Sequence, residues 1–248
     1  MSNQAFKFKE FTVEQDKCAM KIGTDGVLLG AWVPLSHYPK SILDIGTGTG
    51  ILALMMAQRS EAFLIDAIEI EENAYEQAVE NFENSMWGDR LFCYHADLNE
   101  FAEEMQDEEK YDLIISNPPF YSPPLPVASP PRGEKFSEAR KIARFNDALP
   151  FEHLVRGVSF LLSEDGIFSV IIPYAEEEKF ISLAAKENLF PQKITRVRGT
   201  EKSELKRSLL NFSFHKTGTE EDELILEISR HNYTEEFKKM VAPFYLKL

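Results

Sequence analysis

Residues 41–54, Ser-Ile-Leu-Asp-Ile-Gly-Thr-Gly-Thr-Gly-Ile-Leu-Ala-Leu, read as a short apolar strand, a glycine-rich turn and the start of a helix. A strand that turns directly into a helix must return to its sheet by a crossover, so the unit commits the chain to parallel pairing. The pattern then repeats. Strand and helix candidates alternate at 41–45 with 50–59, 63–69 with 72–86, and 91–96 with 98–106, followed by a strand at 111–116. Beyond a proline-rich stretch come a helix at 151–162, a strand at 167–172, a helix at 175–187 and a strand at 190–197. Residues 207–215 alternate like a further strand, and 224–229 offer one more. Ahead of this core, a hairpin is predicted over 8–22 and a helix over 25–33. The expected fold is α/β, one mostly parallel sheet with helices on both faces. A single domain fills 1–248, with 1–35 as an N-terminal extension and 36–248 as the core.

Glycines 46, 48 and 50 let the backbone take positive φ and let a ligand approach closely. The spacing G-x-G-x-G with Ile51 next departs from the dinucleotide fingerprint G-x-G-x-x-G, and no Gly-Lys-Ser/Thr of a P-loop follows. Asp44, just before the glycines, would repel a pyrophosphate and suit a cationic amino-acid group. Strand 63–69 ends in Glu69, placed to chelate two ribose hydroxyls, and strand 91–96 leads into Asp97, placed to accept from an adenine amine.

The fourth strand runs into Asn117-Pro118-Pro119-Phe120. Each proline fixes its own φ, removes a donor and pushes the preceding residue toward extended geometry. The result is a stiff, carbonyl-rich corner. The Asn117 side-chain oxygen and a Pro118 main-chain oxygen can both accept, and Phe120 offers a flat apolar face. Two acceptors beside an aromatic plate suit a planar –NH2 group on a conjugated ring or an amide. Holding both hydrogens favours pyramidalisation, which frees the nitrogen lone pair for an electrophile such as a sulfonium methyl. Alone, Asn-Pro-Pro is also an ordinary strand-ending turn.

Glycine turn, two strand-end acids and Asn-Pro-Pro-Phe line one edge of a parallel sheet, where doubly wound folds bind ligands. With these residues the chain resembles the class I S-adenosylmethionine-dependent methyltransferases, and the Asn-Pro-Pro-Phe resembles their amino-methylating branch. The leader, Phe6-Lys-Phe-Lys-Glu-Phe11 through Gly23-Thr24-Asp25-Gly26-Val-Leu-Leu-Gly30, is similar to that of the bacterial valine-tRNA adenine-N6-methyltransferases, which modify the adenine at position 37. So is the ending, Asn232-Tyr-Thr-Glu-Glu-Phe237 and Phe244-Tyr-Leu246. The resemblance implies a Rossmann-like, seven-stranded sheet whose antiparallel strand is 207–215. It implies S-adenosylmethionine held by Thr24, Asp25, Asp44, Gly46, Thr47, Gly48, Gly50, Glu69, Asp97 and Asn117. It implies chemistry at Asn117, Pro118, Pro119 and Phe120, and the anticodon loop of tRNA as partner. Asp25 has a second reading, as the N-cap of the helix that begins near Val27.

At −14 the net charge argues against a general nucleic-acid binder. Basic residues nevertheless concentrate locally. Arg132, Lys135, Arg140, Lys141 and Arg144 fall within 132–144, and Lys193, Arg196, Arg198, Lys202, Lys206, Arg207 and Lys216 within 191–217. Arg132, Arg140, Arg144, Arg196, Arg198, Lys202 and Lys206 are therefore the candidate RNA contacts. Lys7, Lys9, Lys17 and Lys21 of the N-terminal hairpin offer another face. No apolar run reaches membrane-helix length, no signal peptide is visible, and Cys18 and Cys93 have no metal spacing. A cytoplasmic, monomeric, metal-free enzyme is expected. The Asn-Pro-Pro-aromatic corner also fits a ribosomal-RNA guanine-N2 or a protein glutamine-N5 methyltransferase, and a non-catalytic RNA-binding factor is a further alternative.

Overall fold

The computed structural model describes residues 4–105, 108–119 and 149–247. Phe120, the proline-rich stretch 121–133, and Arg132, Arg140 and Arg144 lie outside the described residues. A short hairpin, β1 (Phe6–Lys7) with β2 (Thr12–Val13), opens the fold, and α1 (Thr24–Trp32) follows. Then come β3 (Ser41–Ile45), α2 (Ile51–Arg59), β4 (Leu64–Glu69), α3 (Glu72–Glu83), β5 (Leu91–His95), α4 (Leu98–Glu104) and β6 (Tyr111–Ser116). The second half has α5 (Phe151–Leu161), β7 (Leu162–Pro173), a 3-10 turn (Tyr174–Glu176), α6 (Glu177–Lys186), β8 (Phe190–Arg198), β9 (Leu205–Ser213) and β10 (Glu220–Ile225). A small hairpin, β11 (Glu227–Ser229) with β12 (Asn232–Tyr233), leads to α7 (Glu235–Val241).

The main sheet runs β10-β8-β9-β7-β6-β3-β4-β5. Every neighbouring pair is parallel except those made by β9, which is antiparallel to both β7 and β8. Strand alternation sorts the side chains into two buried layers. Ile42, Leu113 and Ile115 pack with α1, α2 and the leader, while Leu43, Ile45 and Ile114 pack with α5 and α6. All of Ile51–Ala57 is buried, so α2 is apolar around its circumference and sits fully inside one layer.

Three expectations need correction. The hairpin predicted over 8–22 shrinks to 6–13, because side chains of α3 satisfy the backbone beyond it. Asn81 Oδ1 accepts from the Glu14 N–H at 2.8 Å, its Nδ2 donates to Glu14 O at 2.9 Å, and Gln77 Oε1 accepts from the Lys17 N–H at 2.9 Å. Second, β7 begins at Leu162 rather than 167; its register slips between Tyr111↔Leu162 and Leu113↔Ile167, so the polar Ser163–Gly166 segment bulges out. Third, the sheet has eight strands rather than seven. The extra edge strand β10 carries Glu220, Glu221, Asp222 and Glu223, so only its Leu224–Ile225 end falls within the apolar run read at 224–229.

Candidate active site

Because β3, β4, β5 and β6 are parallel and in register, their C-terminal ends share one edge, which collects the glycine turn, Glu69, Asp97 and Asn117. Gly46, Gly48 and Gly50 have φ of 71°, 57° and 81°. A Cβ at position 46 or 48 would meet nothing within 4 Å, so the backbone there faces open space. A Cβ at position 50 would lie 2.5 Å from Phe82 Cε1, so α3 closes that end of the turn. Gly50→Ala combines a left-handed backbone, costing about 1–2 kcal/mol, with an overpacked contact of similar cost. Thermal denaturation is expected to show a melting temperature lowered by several degrees. A value within one degree of the parent, about the noise of the method, would contradict this packing.

Glu69 braces the turn. Its Oε2 accepts from the Gly48 N–H at 2.8 Å, and its Oε1 accepts from the N–H groups of Ile70 and Glu71 at 2.9 and 3.0 Å. The carboxylate is half-buried, so it holds the loop while still meeting the edge. Beside it a shallow pocket is lined by Ile70, His95, Ala96, Asp97 and Glu100. Asp97 caps α4, its Oδ1 accepting from the Asn99 N–H at 2.8 Å. No hydrogen bond to its Oδ2 forms among the described residues, which leaves that oxygen for a ligand amine.

Asp44 is fully buried beneath the turn. Its Oδ2 accepts from Thr47 Oγ1 at 2.5 Å, and the nearby Ala53 amide eases its charge, yet Oδ1 has no hydrogen-bond partner among the described residues. Burial pushes its carboxyl up to about 7. A folded-state value above the ordinary 3.8 means that the ionised form weighs against the fold as pH rises toward 7. A cation bound nearby would offset that cost. Both thiols are held protonated: burial, with the Glu69 charge next, pushes Cys18 up to about 12, and burial raises Cys93 as well. Neither suits a nucleophile.

At the other end of the edge, Ser116 Oγ donates to Ile45 O at 2.8 Å and pins β6 to β3 just before the corner. Asn117 is half-buried and Pro118 buried. A Cβ on Gly26 would lie 3.8 Å from Asn117 Nδ2, so the start of α1 abuts the corner. The N-cap reading of Asp25 does not hold. Gly23 occupies the N-cap, and Asp25 lies inside the first turn, where its Oδ2 accepts from Arg207 Nε at 2.8 Å. Thr24 begins α1 and is exposed.

The methyltransferase small domain model matches residues 24–125, the stretch that carries this edge. Over its full length the chain is 66% identical to the tRNA1(Val) (adenine(37)-N6)-methyltransferase of Christiangramia forsetii, covering 100% of both proteins. It is 59% identical to the protein of that name from Flavobacterium psychrophilum (98% of this chain, 100% of the relative) and 43% identical to that of Bacteroides fragilis (100% of both). The chain belongs to the tRNA1(Val) (adenine(37)-N6)-methyltransferase family. Solved structures agree on the fold at low identity. A predicted O-methyltransferase, Atu636 of Agrobacterium tumefaciens, superposes with TM-score 0.65 at 18% identity (89% of this chain, 96% of that one). TYW2 of Pyrococcus horikoshii, solved with MeSAdo, gives TM-score 0.55 at 13% identity (85% and 71%).

In this member of the family two site residues escape a reading by motif. Ile70, 53% exposed, gives the pocket beside Glu69 an apolar wall. Its one signal is an apolar residue set between Glu69 and Glu71. Asn81 is almost fully buried and also donates to Thr49 O at 2.8 Å, tying the leader at Glu14 to the glycine turn. No spacing rule could find it.

The basic segment 191–217 does not form a free cationic face. Arg196 pairs with Glu177 and Glu221, and Arg198 pairs with Glu223. Lys193 pairs with Glu220 and Asp222. Arg196 and Arg198 thus stand paired with acids of β10 and α6, so their count along the chain overstates the unpaired positive charge of this segment. Lys202 and Lys206 are exposed and form no ion pair among the described residues. The hairpin lysines are also largely engaged: Lys9 Nζ donates to Ala242 O, Lys17 pairs with Glu76 and Glu80, and Lys21 Nζ donates to Gln15 O and Cys18 O. No helix among the described residues is long and apolar enough to cross a membrane.

Proposed function

We propose that the protein methylates N6 of adenine 37 in valine tRNA, with S-adenosylmethionine as the methyl donor. The observation that carries this reading is the Asn117–Pro118 corner, placed on the same sheet edge as an open glycine turn braced by Glu69. The residues present fit the donor. Gly46 and Gly48 leave room for it, the unpartnered Asp44 Oδ1 suits its ammonium group, and Glu69 suits its ribose hydroxyls. Ile70 and Asp97 would hold its adenine. When bound, S-adenosylmethionine supplies a methyl group activated by a sulfonium.

The protein's own part is grip and aim. Asn117 Oδ1 and the Pro118 carbonyl accept the two N6 hydrogens, and Phe120 stacks on the flipped base. The nitrogen lone pair is then directed along the line of transfer, and positioning supplies most of the rate. An anticodon-loop base is already single-stranded, so extruding it costs less than from a duplex. Transfer of radiolabelled methyl into RNA and protein fractions tests the substrate class. Label in adenosine of valine tRNA is expected; label in guanosine or in glutamine would move the protein to one of the other amine-methylating classes.

Asp44 gives this reading a pH signature. Below pH about 7 its carboxyl is protonated in the free protein, so binding a cationic amino-acid group must expel that proton. Calorimetric affinity for S-adenosylhomocysteine is expected to weaken as pH falls from 7 to 5.5, by up to about tenfold per pH unit. Asp44→Asn should flatten the profile. A parent protein whose affinity is constant across that window would show that Asp44 does not face the ligand's charge.

A further inference from the structure

Tyr174 is 40% exposed, at the C-terminal end of β7. Strand β7 is the parallel neighbour of β6, with Ser116 opposite Val170. Asn117 and Tyr174 therefore leave the sheet at the same edge on adjacent strands, one and four residues past that pair. At roughly 3.3 Å per residue and about 4.8 Å between strands, Tyr174 stands on the order of 10 Å outward from Asn117. The site is bracketed on its other side. Pro173, the residue before Tyr174, pairs with Arg207, and Arg207 holds Asp25 at the start of α1, against the corner. Among the described residues the Tyr174 ring has no aromatic neighbour and its hydroxyl makes no hydrogen bond.

We infer that Tyr174 is a substrate-stacking residue, its ring packing on a base that flanks the adenine held at Asn117. This rests on the RNA reading given above. The charge balance favours it over a purely electrostatic dock. The protein carries −14, and among the described residues Arg196 and Arg198 are already paired with acids, so that segment offers phosphates less unpaired charge than its arginine count suggests. The partner is a loop of unstacked bases, each with an apolar face that an exposed ring can cover. Base–aromatic stacking tolerates any base and needs no net positive surface.

The test uses the full-length protein with a valine-tRNA anticodon stem-loop carrying 2-aminopurine beside the target adenine, and with the unlabelled RNA for kinetics. Tyr174→Ala is expected to raise KM for the RNA about 5- to 150-fold, to abolish the quench of 2-aminopurine fluorescence seen on binding, and to leave S-adenosylhomocysteine affinity and melting temperature unchanged. Tyr174→Phe, which keeps the ring, should match the parent. The inference is overturned if Tyr174→Ala keeps the parent KM and quench, if Tyr174→Phe is as impaired as Tyr174→Ala, or if cofactor affinity falls alongside. A parent protein that transfers no methyl to this RNA defeats the functional reading and the stacking role together. A parent that turns over while Tyr174→Ala is unaffected defeats the stacking role alone.

Discussion

Asn117→Ala is expected to bring methyl transfer close to background while S-adenosylhomocysteine still binds within a few-fold of the parent. The side chain sits at the corner, next to the start of α1, and its proposed partner is the acceptor amine. Without Asn117 Oδ1, one N6 hydrogen loses its acceptor, the nitrogen stays planar and its lone pair remains in the ring. Misalignment of this kind removes the positioning on which the rate depends, with losses of about a hundredfold or more. Asn117→Asp keeps the acceptor oxygen and should retain measurable turnover. Calorimetry and single-turnover methylation on the same preparations check the pair. Loss of ligand affinity with chemistry intact would place Asn117 in the cofactor pocket and out of the grip.

Glu69→Ala should produce the opposite separation. One carboxylate accepts the N–H groups of Gly48, Ile70 and Glu71, so its removal frees the glycine turn from the loop after β4 as well as deleting the proposed ribose contact. Hydrogen bonds to a charged group are worth about 1.5–3 kcal/mol each, so a loss equivalent to one of them weakens S-adenosylmethionine binding roughly 10- to 150-fold. Turnover at saturating donor should recover much of the parent rate, because the Asn117 corner follows directly on β6, which Ser116 pins to β3. Unchanged affinity would move the ribose contact to another residue.

These two residues show what a linear reading of the chain could reach. Glu69 closes β4 and Asn117 follows the last residue of β6, and strand ends are marked in sequence by where apolar runs stop. Parallel pairing then brings them to one edge without further information. The glycine turn was legible for the same reason, since three positive φ values in five residues demand glycine. Counting charges along the chain makes Arg196 and Arg198 candidate RNA contacts but does not reveal their ion-pair partners. Their partners Glu221 and Glu223 arrive on the acidic first part of β10, whose place beside β8 is set by tertiary pairing. Asn81 was silent for a related reason: a buried amide joining Glu14 to Thr49 leaves no spacing or period behind. Asp25 offered a cap or a pocket residue, and the structure gives it to Arg207, which follows far along the chain.

Nucleoside mass spectrometry of valine tRNA from cells lacking this protein tests the central claim most directly. The account predicts that N6-methyladenosine at position 37 disappears, returns when the parent chain is supplied, and does not return with Asn117→Ala. Persistence of the modification in cells lacking the protein, or its restoration by Asn117→Ala, would contradict it.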